Sequence, residues 1–233
     1  MAGAVAVVGA ASPSVVQTGA AFAALLQADL RPLGAPEGLE QPEAARALLD
    51  EIAAPDVLVA VMPDGAALEA TTGFVISTCP RPIVVTPQTL EARQPLVISR
   101  VLLPLDGSRE AAAAVAPTVR LLTDAGIDLV VLHVFDRTTV PRFWDQAAHA
   151  RRSWEPEFLA RYCPYPAVRL HLRAGAPGEQ VVTVAGQERV DLIVLGWSQR
   201  LDPDRAATVR RTIAEAQVPV MLMPVSPDRG KEH

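Results

Sequence analysis

The sequence is poor in lysine, cysteine, histidine and aromatic residues, and it has no long apolar run. Lys231 is its sole lysine, so arginine carries nearly all the positive charge. The net charge of -5 argues against nucleic acid as the main partner. The small cluster of Arg205, Arg210 and Arg211 reads as a solvated helix face. Cys79 and Cys163 show no metal-ligand spacing and make no disulfide framework, so no metal cluster is expected. Half of the residues are hydrophobic, but they fall in short runs, none near the roughly 20 apolar residues that span a bilayer. The opening MAGAVAVVGAAS is apolar yet lacks the basic flank of a secretory signal. The expectation is a soluble, cytoplasmic protein with no membrane segment. His133, His149, His171 and His233 are scattered, and no Ser-His-Asp order or carboxylate pair stands out. The sequence therefore offers no catalyst.

What is present is an internal repeat, which fixes architecture before anything else. Ala4 to Ser12 (AVAVVGAAS) aligns with Arg100 to Ser108 (RVLLPLDGS), Asp56 to Val61 (DVLVAV) with Asp191 to Gly196 (DLIVLG), and Cys79 to Pro87 (CPRPIVVTP) with Ala216 to Pro224 (AQVPVMLMP). The offsets are 96, 135 and 137, so the first half is short of the second by about one strand and one helix. The polar stretch Gln88 to Pro95 reads as a linker. The expected division is residues 1–87, a linker at 88–98, residues 99–225 and a tail at 226–233.

The second half alternates strands and helices. Val101 to Leu105 ends at Asp106-Gly107-Ser108, with Ser108 a candidate N-cap for a helix over Glu110 to Thr123. Strands follow at Asp128 to Val134, Val168 to Leu172, Leu192 to Leu195 and Val218 to Met223. Helical patterns cover Pro141 to Tyr162, Pro177 to Glu188 and Arg205 to Ala216. The first half keeps a strand, a helix, a weak strand near Leu30 to Leu33, a helix from Pro42 to Ala53, and two further strands. Strands apolar at every position and joined by helices predict a parallel sheet covered on both faces. The fold class is therefore α/β, with two tandem doubly wound, Rossmann-like units.

LLPLDGS at 102–108, LHVF at 132–135, GAPGEQVV at 175–182, DLIVLGWS at 191–198 and VPVMLMP at 218–224 together resemble a universal stress protein domain. The resemblance covers residues 99–225, and more weakly 1–87 through DVLVAV and CPRPIVVTP. It implies a parallel five-stranded sheet of the adenine nucleotide alpha hydrolase-like type. It also implies a pseudo-dimer within one chain, setting Ile83 to Thr86 against Val220 to Met223, or the same pairing between chains as a homodimer.

Members of that family divide into those that bind ATP or another adenine nucleotide and those that do not. The matching positions are Pro104, Leu105, Asp106 and Ser108 after the first strand of the second half, Val134 after the second, and Gly196 and Trp197 after the fourth. Asp106 reads either as a ligand carboxylate or as a turn residue. Trp197 reads either as a stacking face or as a plug. Nucleotide-binding members carry a Gly-x-x-Gly, nine residues, then Gly-Ser/Thr. Here Gly196 fits, Gln199 replaces the second glycine, and Val209-Arg210 replace the final pair. A gapped count puts Ala206-Ala207 there, with Thr208 next, while Arg200 and Arg205 could neutralise phosphate. In the first half Ala10 stands where Asp106 stands, and VMPD at 61–64 replaces the glycine loop, so no nucleotide is expected there.

Phe135, Phe143, Trp144, Trp154, Phe158, Tyr162 and Tyr165 concentrate the aromatic residues in one segment. It reads as a lid or as a helix packed on the sheet. The resemblance implies a regulatory protein of the stress response, binding an adenine nucleotide in the second half. The alternatives are a scaffold of the same fold that binds a regulatory protein partner, and a weak ATP hydrolase with no assignable catalytic residue.

Overall fold

Strand residues in this chain alternate between two apolar clusters, and that alternation builds the molecule. In the computed structural model the described residues are 3–9, 12–34, 41–64, 70–90, 95–135, 148–166, 168–200 and 203–225, with backbone alone at 41, 70, 148–153 and 203–205. The first half runs β1 (Ala4–Val8), α1 (Pro13–Leu26), β2 (Asp29–Leu33), α2 (Gln41–Ile52), β3 (Val57–Pro63), α3 (Ala70–Thr78) and β4 (Ile83–Thr86). The second runs β5 (Arg100–Pro104), α4 (Arg109–Asp124), β6 (Asp128–Phe135), α5 (Ala148–Tyr162), β7 (Arg169–Ala174), α6 (Pro177–Glu188), β8 (Leu192–Trp197), α7 (Pro203–Glu215) and β9 (Val220–Pro224).

All nine strands join one sheet in the order β2-β1-β3-β4-β9-β8-β5-β6-β7. Every pairing is parallel except the seam between β4 and β9, which is antiparallel with Ile83 opposite Leu222, Val84 opposite Met221 and Val85 opposite Val220. The expected pairing of the last strands is thus made inside one chain. Each half is an α/β winding that meets the other at this seam. The second half carries β7 on its outer flank, and the first half ends at β2.

Side chains with a period of two separate the faces. Ala6, Ala60, Met62, Ile83, Val85, Leu102, Ile193 and Leu222 pack with α2, α3, α6 and α7 residues in one cluster. Val5, Val7, Val59, Val61, Val84, Leu103, Val194 and Met221 pack with α1, α4 and α5 residues in the other. Both clusters run across the seam, so neither half has a core of its own.

Helix α3 is absent from the sequence reading. Its residues ATTGFVIST include threonine, glycine and β-branched side chains, all weak helix formers. Burial of Val75 and Ile76 holds it in place. The helix expected over Pro141 to Tyr162 is seen from Ala148, and residues 141–147, with Phe143 and Trp144, lie outside the described part. The outer strand β2 is blunted. The Asp29 N–H donates to Gly3 O of the β1 side, so alternation aims the backbone of residue 32 outward, and Pro32 has no N–H to offer a further strand.

Candidate functional site

The carboxyl ends of β5, β6 and β8 open into a crevice of about 650 Å³. This is where an open parallel sheet places its ligands. The loop after β5 forms the floor. Gly107 takes φ +85°, and a Cβ on it would meet the His133 ring at 3.5 Å. The Asp106 Oδ1 accepts the Ser108 N–H at 2.8 Å. The Ser108 Oγ accepts the Ala111 N–H at 3.2 Å and caps α4. Asp106 therefore serves the turn with one oxygen, and its exposed carboxylate also lines the crevice.

His133 is buried in the wall beside it. Its Nδ1 lies 2.8 Å from Leu105 O. A carbonyl only accepts, so Nδ1 carries the proton and Nε2 keeps the lone pair. Burial pushes the His133 pKa below its ordinary value, against the weaker opposing effects of that hydrogen bond and of Asp106. The ring is neutral at pH 7.

The aromatic residues of α5 close the same wall. The His133 ring centroid lies 4.8 Å from Phe158 and 5.2 Å from Trp154. Trp154 stacks on Phe158 at 4.8 Å, and Phe135 meets Trp154 at 5.1 Å. These four rings and Tyr162 all line the crevice. α5 packs on the sheet and its rings line the cavity.

The expected site residues separate into three groups. Pro104, Leu105, Asp106, Ser108, Val134, Gly196, Trp197 and Thr208 come together around the crevice. Ala206 and Ala207 do not: Ala206 is buried in the core under α7 and Ala207 is exposed. The Arg205 side chain lies outside the described residues, as does Ala10 of the first half. Glu110 and Val225, which carry no motif that would have marked them, also line the cavity, as do Val181 of the GAPGEQVV segment and Val209 of the motif's final pair. Among the described residues, no group of three or more His, Cys, Asp or Glu side chains is placed to hold a metal ion.

Trp197 lines the crevice and also reaches the first half, while Gln199 turns to the first half. The buried Trp197 Nε1–H donates to Ile76 O at 3.0 Å. The Gln199 Nε2 donates to Cys79 O at 2.6 Å. Gln199 has φ +59°, the left-handed region that favours glycine. The loop therefore keeps a glycine-like turn without the glycine, and its side chain grips the end of α3. Of the two readings of Trp197, the plug is the one its burial and hydrogen bond match.

The sequence matches the Universal stress protein family over residues 98–224, more than half of the chain. The chain belongs to that family. No curated protein matches it. Among solved structures, a universal stress protein from Archaeoglobus fulgidus is 14% identical with TM-score 0.63, the alignment covering 97% of each chain. A functionally unknown protein from Pseudomonas aeruginosa is 14% identical with TM-score 0.67, covering 96% of this chain and 93% of its own. At that identity the likeness is one of fold, and it extends over both halves of the universal stress protein architecture described here. No helix among the described residues is long and apolar enough to cross a membrane.

Proposed function

We propose that this universal stress protein is a regulatory, non-catalytic protein of the stress response. Its second half binds an adenine-bearing ligand, and its shortened first half completes a pseudo-dimer and binds no nucleotide. The observation that carries this reading is the crevice itself. It combines an exposed carboxylate at Asp106, a ring wall from α5 and a position at the strand ends where this kind of sheet takes ligands. A base has a flat π face for the rings and amine donors for the carboxylate, so the residues fit the base-and-sugar half of such a ligand.

The scaffold reading draws on a different observation, the grip of Trp197 and Gln199 on α3, which fixes the loop to the first half. Thermal unfolding with and without millimolar ATP, ADP, cyclic AMP and adenosine separates the two. A ligand at 100 times its dissociation constant stabilises the fold by about 2.7 kcal/mol, a shift of several degrees. The ligand reading expects a shift that is lost in Asp106→Ala. No shift with any of these compounds would leave a partner-binding scaffold.

A further inference from the structure

The family's nucleotide motif has a phosphate half and a base half, and in this protein they have different fates. We infer that the crevice takes an adenine nucleoside through its base and sugar and discriminates against the triphosphate. The inference rests on the adenine-ligand reading above and goes further by naming the ligand class.

The phosphate half has lost two of its three small residues. A Cβ at Gly196 would lie 3.4 Å from the Ala111 Cβ and 3.4 Å from the Val225 Cγ2. This glycine therefore lies against α4 and the chain after β9 at the edge of the cavity. Gln199, in the second glycine position, commits its amide to Cys79 O in the first half. Val209, where the ungapped motif would have its last glycine, projects a branched apolar side chain into the cavity lining. Phosphate binding requires small residues so that amide N–H groups can approach the anion, and two of these three positions carry large side chains.

Charge points the same way. Asp106 and Glu110 line the crevice, and no arginine or lysine does so among the described residues. Two carboxylates oppose a triphosphate, which carries several negative charges, and have no such effect on an uncharged nucleoside. The base half, in contrast, is equipped. Asp106 accepts and His133 keeps its lone pair on Nε2, while an adenine amine and ribose hydroxyls supply donors. The α5 rings offer faces for stacking.

The test is equilibrium titration of the full chain with adenosine, AMP and ATP, the last with and without magnesium, at fixed ionic strength. The expected order of affinity is adenosine, then AMP, then ATP, with at least tenfold between the first and the last. Raising the salt should narrow the gap, because screening weakens the carboxylate repulsion. Glu110→Gln should move the ratio of ATP to adenosine affinity toward ATP by about threefold or more, the sign expected for removing one like charge. ATP binding as tightly as adenosine, or more tightly, with or without magnesium, would overturn this inference and leave the adenine-ligand reading standing. No binding of any of the three would overturn both.

Discussion

At the scale of single residues, the chemistry turns on where a polar group is forced to spend its hydrogen bonds. His133 lies in the apolar strand β6, and the Leu105 carbonyl takes the hydrogen bond of its Nδ1. The same bond fixes its tautomer and makes it part of the crevice wall. Because burial lowers the His133 pKa, the folded state binds fewer protons than the unfolded chain once the pH drops below the ordinary histidine value of about 6.5. Its contribution is complete above that value and is lost as the pH falls toward the depressed folded value. Stability measured by urea unfolding should therefore decline between pH 7 and pH 5, and the decline should be shallower in His133→Gln. An equal decline in the two proteins would show that the ring does not couple to folding. Cys163 shows burial acting alone: its thiol is pushed up to about 11, which disfavours the thiolate form.

At the scale of elements, the loop between β8 and α7 matters most. Its glycine-to-glutamine replacement looked in the sequence like a loss. In the structure it is an exchange of intrinsic turn preference for a tether on α3. A left-handed non-glycine residue costs about 1–3 kcal/mol, and a hydrogen bond returns about 1 kcal/mol. Gln199→Ala keeps the cost and loses the bond, so it should destabilise the protein by about 1 kcal/mol. Gln199→Gly loses the bond and also the cost, so it should be more stable than the alanine variant by about 1 kcal/mol. Equal stability of the two variants in urea unfolding would mean that the loop is not held in that conformation. Helices followed the same pattern of legibility. α4 was readable from Ser108, its cap, and from its apolar spacing, whereas α3 was not, because packing alone maintains it.

At the scale of the whole molecule, the seam between β4 and β9 joins two unequal halves into one sheet with two shared apolar clusters. A shared core predicts a single cooperative transition in calorimetry, with calorimetric and van't Hoff enthalpies equal. Two resolved transitions would show that the halves unfold independently despite the seam. The inequality also decides function in this reading. The second half keeps the outer strand β7 and the helix α5 that walls the crevice. The first half, which has no equivalent strand beyond β2 among the described residues, supplies the β4 edge and the α3 carbonyls.

The sequence by itself determined the order of strands and helices apart from α3, and the repeat with its missing strand and helix. The pairing of Ile83 to Thr86 with Val220 to Met223 was implied by the family resemblance, and only the structure set it inside one chain. The order and the repeat follow from local apolar runs and turn residues, which are written along the chain. The tertiary structure alone decided which motif positions face one another. It placed Ala206 in the core, turned Gln199 onto a carbonyl 120 residues away, and brought Glu110 and the α5 rings to the mouth of the crevice. A ligand site is a set of orientations gathered from distant elements, and orientation at the end of a strand is settled by what packs against it.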